Sequence, residues 1–311
     1  MHTRSDITKD DTNDDTNDDT NDDTNDETVV PEMIITTLSK SVKKYLAPDC
    51  AVLFSGGVDS SLITALAVRH VPDITLITVG FSGSNDVKWA STAAQLLGLK
   101  NSLILKIIDL DDLESTIPCV IEALETADPM AISLGVPLYI ASTEAKSRNI
   151  NMLLTGQGAD ELFGGYHRYK EIIKKSTASL HEAIVADVAR LPRRDILRDN
   201  TVAEAAGIKL AAPFLDPDVV ELALSIPAVL KVREFDGELV GKYILRRAAE
   251  SVVPAEIAWR DKKAMQYGSG VWAGLGRLAR QAGFKKQDKG YIRKYLYSVA
   301  GKNRIKLDVT S

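Results

Sequence analysis

The segment Ala51-Val52-Leu53-Phe54-Ser55-Gly56-Gly57-Val58-Asp59-Ser60-Ser61 decides how this chain folds. Its four leading apolar residues predict a short buried strand, and Ser55-Gly56-Gly57 predicts a sharp turn. Leu62, Ile63, Leu66 and Ala67 then recur at helical spacing, in a helix that stops before Val71-Pro72. A strand, a Gly-rich turn and a helix N-terminus make an anion site. Backbone N–H groups converge there, the helix dipole favours negative charge, and glycine lets the backbone come close. Ser55, Ser60 and Ser61 can add hydroxyl donors, and Asp59 is placed to hold a divalent cation against phosphates. The loop lacks the lysine of G-x-x-x-x-G-K-[ST], so cleavage between β- and γ-phosphates is not the chemistry it suggests.

Outward from this segment the chain alternates strand and helix. Before it, Pro31 to Leu46 carries Ile34, Ile35, Leu38, Val42, Tyr45 and Leu46 at helical spacing, with Lys40, Lys43 and Lys44 near the end that favours cations. After it come a strand from Ile74 to Phe81, a helix from Val87 to Leu97 and a strand from Leu103 to Ile108. Asp109 to Leu124 has helical character, Pro137 to Ser147 reads as a helix, and Asn151 to Leu154 as another buried strand. The expected class is α/β, a doubly wound parallel sheet with its ligands at the carboxyl ends of the strands. Residues 170–284 read as mostly helical, punctuated by Pro192, Pro213, Pro217, Pro227 and Pro254.

Composition bounds the rest. A chain of 311 residues can bury a large core. Cys50 and Cys119 have no paired spacing, which argues against a disulfide framework or a structural zinc. No signal-peptide core and no run of membrane-spanning length is present, so a cytoplasmic protein that avoids the membrane is expected. The net charge of −5 conceals an uneven distribution. Residues 1–28 hold 11 acids and 2 bases in Thr-Asn-Asp-Asp repeats, and the remainder has a net charge of +4. The repeat has too little apolar surface to offset its ordering entropy, so it is expected to be a disordered tail. The expected organisation is that tail over 1–28, a catalytic unit over 29–285 and a basic extension over 286–311.

A second stretch, Thr155-Gly156-Gln157-Gly158-Ala159-Asp160-Glu161-Leu162-Phe163-Gly164-Gly165-Tyr166, follows the Asn151–Leu154 strand. Thr155 and Gly156 offer further backbone donors at the sheet edge. Asp59 and Asp160, from neighbouring strand ends, could jointly hold a magnesium ion that keeps several waters. The first segment resembles the pyrophosphate loop of the N-type ATP pyrophosphatases, the PP-loop or adenine nucleotide α-hydrolase fold. The second closely resembles the Ser-Gly-Glu-Gly-Ser-Asp-Glu-Leu-Phe-Gly-Gly-Tyr block of the asparagine synthetase family. Leu197-Arg198-Asp199-Asn200, Ala212-Pro213-Phe214-Leu215-Asp216, Lys242-Tyr243-Ile244-Leu245-Arg246 and Trp259-Arg260-Asp261-Lys262 match further blocks in order.

The resemblance implies an ATP- and Mg²⁺-dependent ligase. A carboxylate attacks the α-phosphorus to give an acyl-adenylate and pyrophosphate, and ammonia or an amine then displaces AMP. It implies that Leu53, Val79 and Gly80 flank adenine and that Ser55, Gly56, Gly57, Ser60 and Ser61 hold pyrophosphate. Asp59 and Asp160 bind the metal, Lys242 stabilises developing charge, and Asp195 and Arg198 face the acyl pocket. Three departures stand out. The family's glutaminase nucleophile follows the initiator methionine, where this chain has His2, so glutamine is expected to serve only through a separate glutaminase subunit. The family glutamate that helps deprotonate the amine is Gln157, which can hydrogen-bond an amine but not act as its base. The arginine of the family's aspartate-binding segment is Ser133. Other readings are a tRNA- or protein-modifying adenylase, for which no basic–aromatic stripe argues, and a catalytically silent nucleotide-binding subunit. Nucleic acid is not the expected partner, and a homo-oligomer is left open.

Overall fold

The computed structural model describes residues 19–260 and 265–307. Five strands form one parallel sheet: β1 (Cys50–Leu53), β2 (Thr75–Phe81), β3 (Leu103–Ile108), β4 (Met152–Leu154) and β5 (Lys209–Ala211). Their spatial order is β3-β2-β1-β4-β5. Ala51 lies opposite Thr75 on one side and Leu153 on the other, so β1 is the central strand. The order of addition reverses there, opening a crevice between the carboxyl ends of β1 and β4.

Ten helices precede or flank these strands: α1 (Asp19–Tyr45), α2 (Val58–Val68), α3 (Asn85–Leu96), α4 (Leu110–Leu124), α5 (Pro129–Ser147), α6 (Ala159–Phe163), α7 (His167–Ile173), α8 (Thr177–Arg190), α9 (Asp195–Ala205) and α10 (Pro217–Ser225). Strand side chains alternate between two apolar cores. Val52, Leu76 and Leu154 join one with Ile34 and Leu38 of α1, Leu62 of α2 and Ala223 of α10. Ala51, Ile77 and Leu153 join the other with Leu113 of α4, Ile132 of α5 and Val202 of α9. A sheet covered on both faces needs apolar residues at nearly every strand position, which is why its strands read as unbroken apolar runs. Helix Tyr291–Lys302, inside the basic extension, adds Ile292, Tyr295 and Leu296 to the second core.

Several boundaries differ from expectation. Helix α1 begins at Asp19, inside the repeat, and carries Pro31 in its interior. Residues 1–18 of the expected tail lie outside the described residues, as do Asp261 and Lys262. Helix α5 begins at Pro129, not Pro137: the Asp128 carboxylate accepts from the N–H groups of Met130 and Ala131 and caps it. Pro137 stands within the helix. Strand β5, too short and plain to signal itself, extends the sheet beyond β4. The region expected to be mostly helical also contains a hairpin, β6 (Val232–Phe235) paired antiparallel with β7 (Glu238–Gly241). Asp236 and Gly237 at its tip both have positive φ, 51° and 79°, as a two-residue type I′ turn requires.

Among the described residues, no helix is long and apolar enough to cross a membrane. Cys50 and Cys119 are both free thiols.

Candidate active site

The crevice at β1 and β4 opens into a cavity of about 870 Å³. It is lined by Leu53, Ser55, Asp59 and Ser60 from the β1–α2 segment, and by Val79 from β2. Thr155, Gly156, Gln157 and Asp160 follow β4, Asp195 comes from α9, and Lys242 follows β7. These expected site residues, from five parts of the chain, therefore share one space. Gly56, Gly57, Ser61 and Gly80 do not line it. Gly56 adopts φ +65°, and a Cβ there would stand 2.7 Å from the Trp89 carbonyl oxygen, so this glycine lets the loop seat on α3. Ser61 is fully buried, and its hydroxyl has no hydrogen-bond partner.

The loop after β1 is internally braced. Ser60 Oγ accepts from the Ser55 N–H at 3.2 Å and lies 3.2 Å from Ser55 Oγ. The loop after β4 closes against it: a Cβ on Gly156 would fall 2.8 Å from Asp59 Cβ. Two tight loops from adjacent parallel strands thus bring Asp59 and Asp160 to a common point. Lys242 fills that point. Its Nζ is 2.8 Å from each Asp59 carboxylate oxygen and 2.7 Å from Asp160 Oδ1. Burial alone pulls the Lys242 pKa down, but Asp160 and Asp59 outweigh it and hold the ammonium above its ordinary value.

The two carboxylates fit a magnesium ion, which takes one or two protein carboxylates and completes its shell with water and phosphate oxygens. Their convergence on one cation shows that a positive charge is accommodated between them. No cluster of three or more His, Cys, Asp or Glu residues suited to a metal occurs among the described residues, so phosphate and water would have to supply the remaining ligands.

Beyond this triad the wall becomes ionic. On α9, Arg198 donates from Nη1 to Asp195 Oδ1 at 2.8 Å and from Nε to Asp199 Oδ1 at 2.7 Å. Burial lowers the Arg198 pKa, but the two carboxylates more than reverse this. Tyr166 donates its hydroxyl proton to Glu161 at 2.5 Å. Burial pushes the Glu161 carboxyl up, with the Tyr166 hydrogen bond opposing it. Asp199 is likewise raised by burial against the pull of Arg198.

The sequence reading did not single out Glu161, Tyr166, Asp199 or Arg260 as site residues, although all sit in its matched blocks. Arg260 donates to the Ser55 carbonyl at 3.3 Å, and its guanidinium lies 4.4 Å from the centre of the Trp89 ring. It anchors the loop from the cavity wall. Only their position in the blocks signalled them, since no local spacing says which way such a side chain faces. His167 is exposed at the start of α7 and lines the cavity.

A parallel sheet with a Gly-rich strand–loop–helix at its switch point, faced by a second loop carrying a carboxylate, is a nucleotide-binding α/β protein of the PP-loop class. Within that class the chain belongs to the asparagine synthase family, whose profile matches residues 34–179 and 173–298. It is 36% identical over 265 residues to a putative glutamine-hydrolysing asparagine synthetase of Methanocaldococcus jannaschii, covering 76% of this chain and 48% of that protein. It is 34% identical over 250 residues to asparagine synthetase B of Escherichia coli, covering 75% of this chain and 44% of that one. With asparagine synthetase 3 of Arabidopsis thaliana it shares 31% over 259 residues, 78% of this chain and 43% of the plant protein. The chain spans just under half the length of the curated relatives it matches.

Proposed function

We propose that this chain is an ATP-dependent, amide-forming ligase that activates a carboxylate as its acyl-adenylate and passes the acyl group to ammonia or an amine. The observation that carries this reading is the convergence of Asp59, Asp160 and Lys242 on one point at the switch of the sheet. Kinship with proteins named asparagine synthetases supports it.

In this reading Ser55 and Ser60, which line the cavity, receive the departing pyrophosphate, while Gly56, Gly57 and Ser61 shape the loop behind them. Donors already in place for developing charge need no reorganisation during the reaction. Leu53 and Val79 border the base, with Gly80 behind them, and Thr155 and Gly156 add backbone donors from the second loop. Mg²⁺, when bound by Asp59 and Asp160, neutralises phosphate charge and helps orient it. With those carboxylates so engaged, the Lys242 ammonium is available to the oxygens on which charge develops. Gln157 orients the nucleophilic nitrogen by hydrogen bonding and takes no proton. Asp195 holds Arg198 in place on the acyl wall. The nitrogen donor in this reading is ammonia or an amine.

The test is product analysis with a panel of carboxylates. AMP and pyrophosphate are the expected products, and substrate-dependent ATP–pyrophosphate exchange reports the first half-reaction. ADP and orthophosphate would overturn the reading.

A further inference from the structure

The acyl end of the cavity has an uneven charge inventory. Its α9 wall carries two carboxylates, Asp195 and Asp199, for one cation, and Arg198 is bound to both. Glu161, buried beside Tyr166, adds a third carboxylate. The other cations lining the cavity are engaged elsewhere or stand at its mouth, and of them Arg260 keeps a buried Nε without a hydrogen-bond partner. Lys242 is held between Asp59 and Asp160. Arg246 donates to the carbonyls of Gly241, Ala258 and Arg260. Arg260 stacks on Trp89 and reaches Ser55. Lys170 and His167 border the hollow between α7 and the β6–β7 hairpin.

The α5 side offers Leu134, Pro137 and Leu138, which have no donors. Ser133 cannot supply one, because it is fully buried and its hydroxyl donates to the Met130 carbonyl of its own helix at 2.9 Å. A second carboxylate at this wall would leave water for a region already in negative excess, whereas an ammonium would relieve that excess.

We propose that the acid activated here carries an ammonium group and no second free carboxylate, selected by Asp195, Asp199 and Glu161. The proposal rests on the adenylating reading and names its substrate class. Arg198 acts as a counter-ion to α9, not as a receptor for the substrate's carboxylate.

Four acids on one carbon skeleton separate the two charges. Aspartate has both the ammonium and the second carboxylate, β-alanine lacks the second carboxylate, succinate lacks the ammonium, and propionate lacks both. Each is titrated calorimetrically into the full chain with Mg²⁺ and α,β-methylene-ATP. Each is also assayed for ATP–pyrophosphate exchange. β-Alanine should bind about tenfold or more tightly than aspartate, and propionate more tightly than succinate. Asp199→Asn, which frees one edge of Arg198, should narrow the gap between β-alanine and aspartate. Preference for aspartate or succinate, or four indistinguishable affinities, absence of binding included, overturns the proposal. The predicted binding order without any exchange would instead uphold the charge selection and sink the adenylating reading.

Discussion

Lys242 occupies the left-handed region at φ 58°, with its N–H donating to the Phe163 carbonyl at 3.0 Å and its side chain buried between two acids. Removing its ammonium would leave Asp59 buried without that cation. Lys242→Ala should therefore lower stability by about 3 kcal/mol, the low end for breaking a buried pair because Asp160 is partly exposed. Added Mg²⁺ should restore more of that loss than it adds to the unmodified protein, since both carboxylates then accept the ion without displacing an amine. Urea midpoints with and without Mg²⁺ check both statements. Lys231 presents the opposite case. It is fully buried, its Nζ has no hydrogen-bond partner, and desolvation pulls its pKa down to about 8. The unfolded chain holds that proton more tightly, so stability rises with pH between about 8 and 10.5 and the cost is fully present below 8. Lys231→Met should stabilise by roughly 3 kcal/mol at pH 7, with the gain shrinking above pH 8. Urea denaturation across that pH range would reveal a flat profile in the variant.

At the scale of elements, the β6–β7 hairpin is the piece that delivers Lys242. Its last residue, Gly241, packs so closely that a Cβ there would lie 2.5 Å from the Gly164 carbonyl oxygen. Phe235 near the tip stacks on Trp259, with ring centroids 4.4 Å apart. The hairpin is thus pinned at the base by backbone contact and near the tip by an aromatic pair. Gly241→Ala should push the base of the hairpin off α6, costing roughly 1–3 kcal/mol, as overpacking does. Adenylation should fall far more than stability, because the Lys242 ammonium moves with the strand. Comparing pyrophosphate exchange with the thermal midpoint separates the two effects. A variant with a lowered midpoint but normal exchange would show that the hairpin does not set the lysine's position.

Across the whole molecule, α1 ties the N-terminal region to the rest. Ile34, Leu38 and Val42 enter the first core, Ser41 donates to the Pro213 carbonyl at 2.8 Å, and Lys44 pairs with Asp216 at 2.7 Å. All these contacts lie after residue 28. Deleting residues 1–28 should therefore shift the thermal midpoint by less than about 2 °C, an effect of a few tenths of a kcal/mol. Deleting residues 1–42 should prevent stable folding, because each of the three lost apolar side chains contributes on the order of 2 kcal/mol. Differential scanning calorimetry of the two truncations checks this.

Local sequence determined the order of elements and the chemistry they carry. Ala51 to Ser61 specified strand, loop and helix through apolar run, glycine pair and helical spacing, all of which act over a few residues. The Thr155–Tyr166 block did the same for the second loop. Local signals also misled where a stronger neighbour intervened: Pro137 read as a helix start, yet the Asp128 cap begins α5 at Pro129. The Asp236-Gly237 turn was legible as a hairpin signal, but the surrounding helical character obscured it. Only tertiary structure decided which charges meet. Lys242 and Asp59 are separated by most of the chain, and their pairing depends on strand order, which no spacing encodes. The state of Arg198 is also a tertiary outcome. The sequence shows an arginine near two aspartates, but packing of α9 on α5 and β5 half-buries the group and holds Arg198 charged between Asp195 and Asp199. Desolvation, set by packing alone, turns the same residues from a solvated helix face into a half-buried ionic cluster.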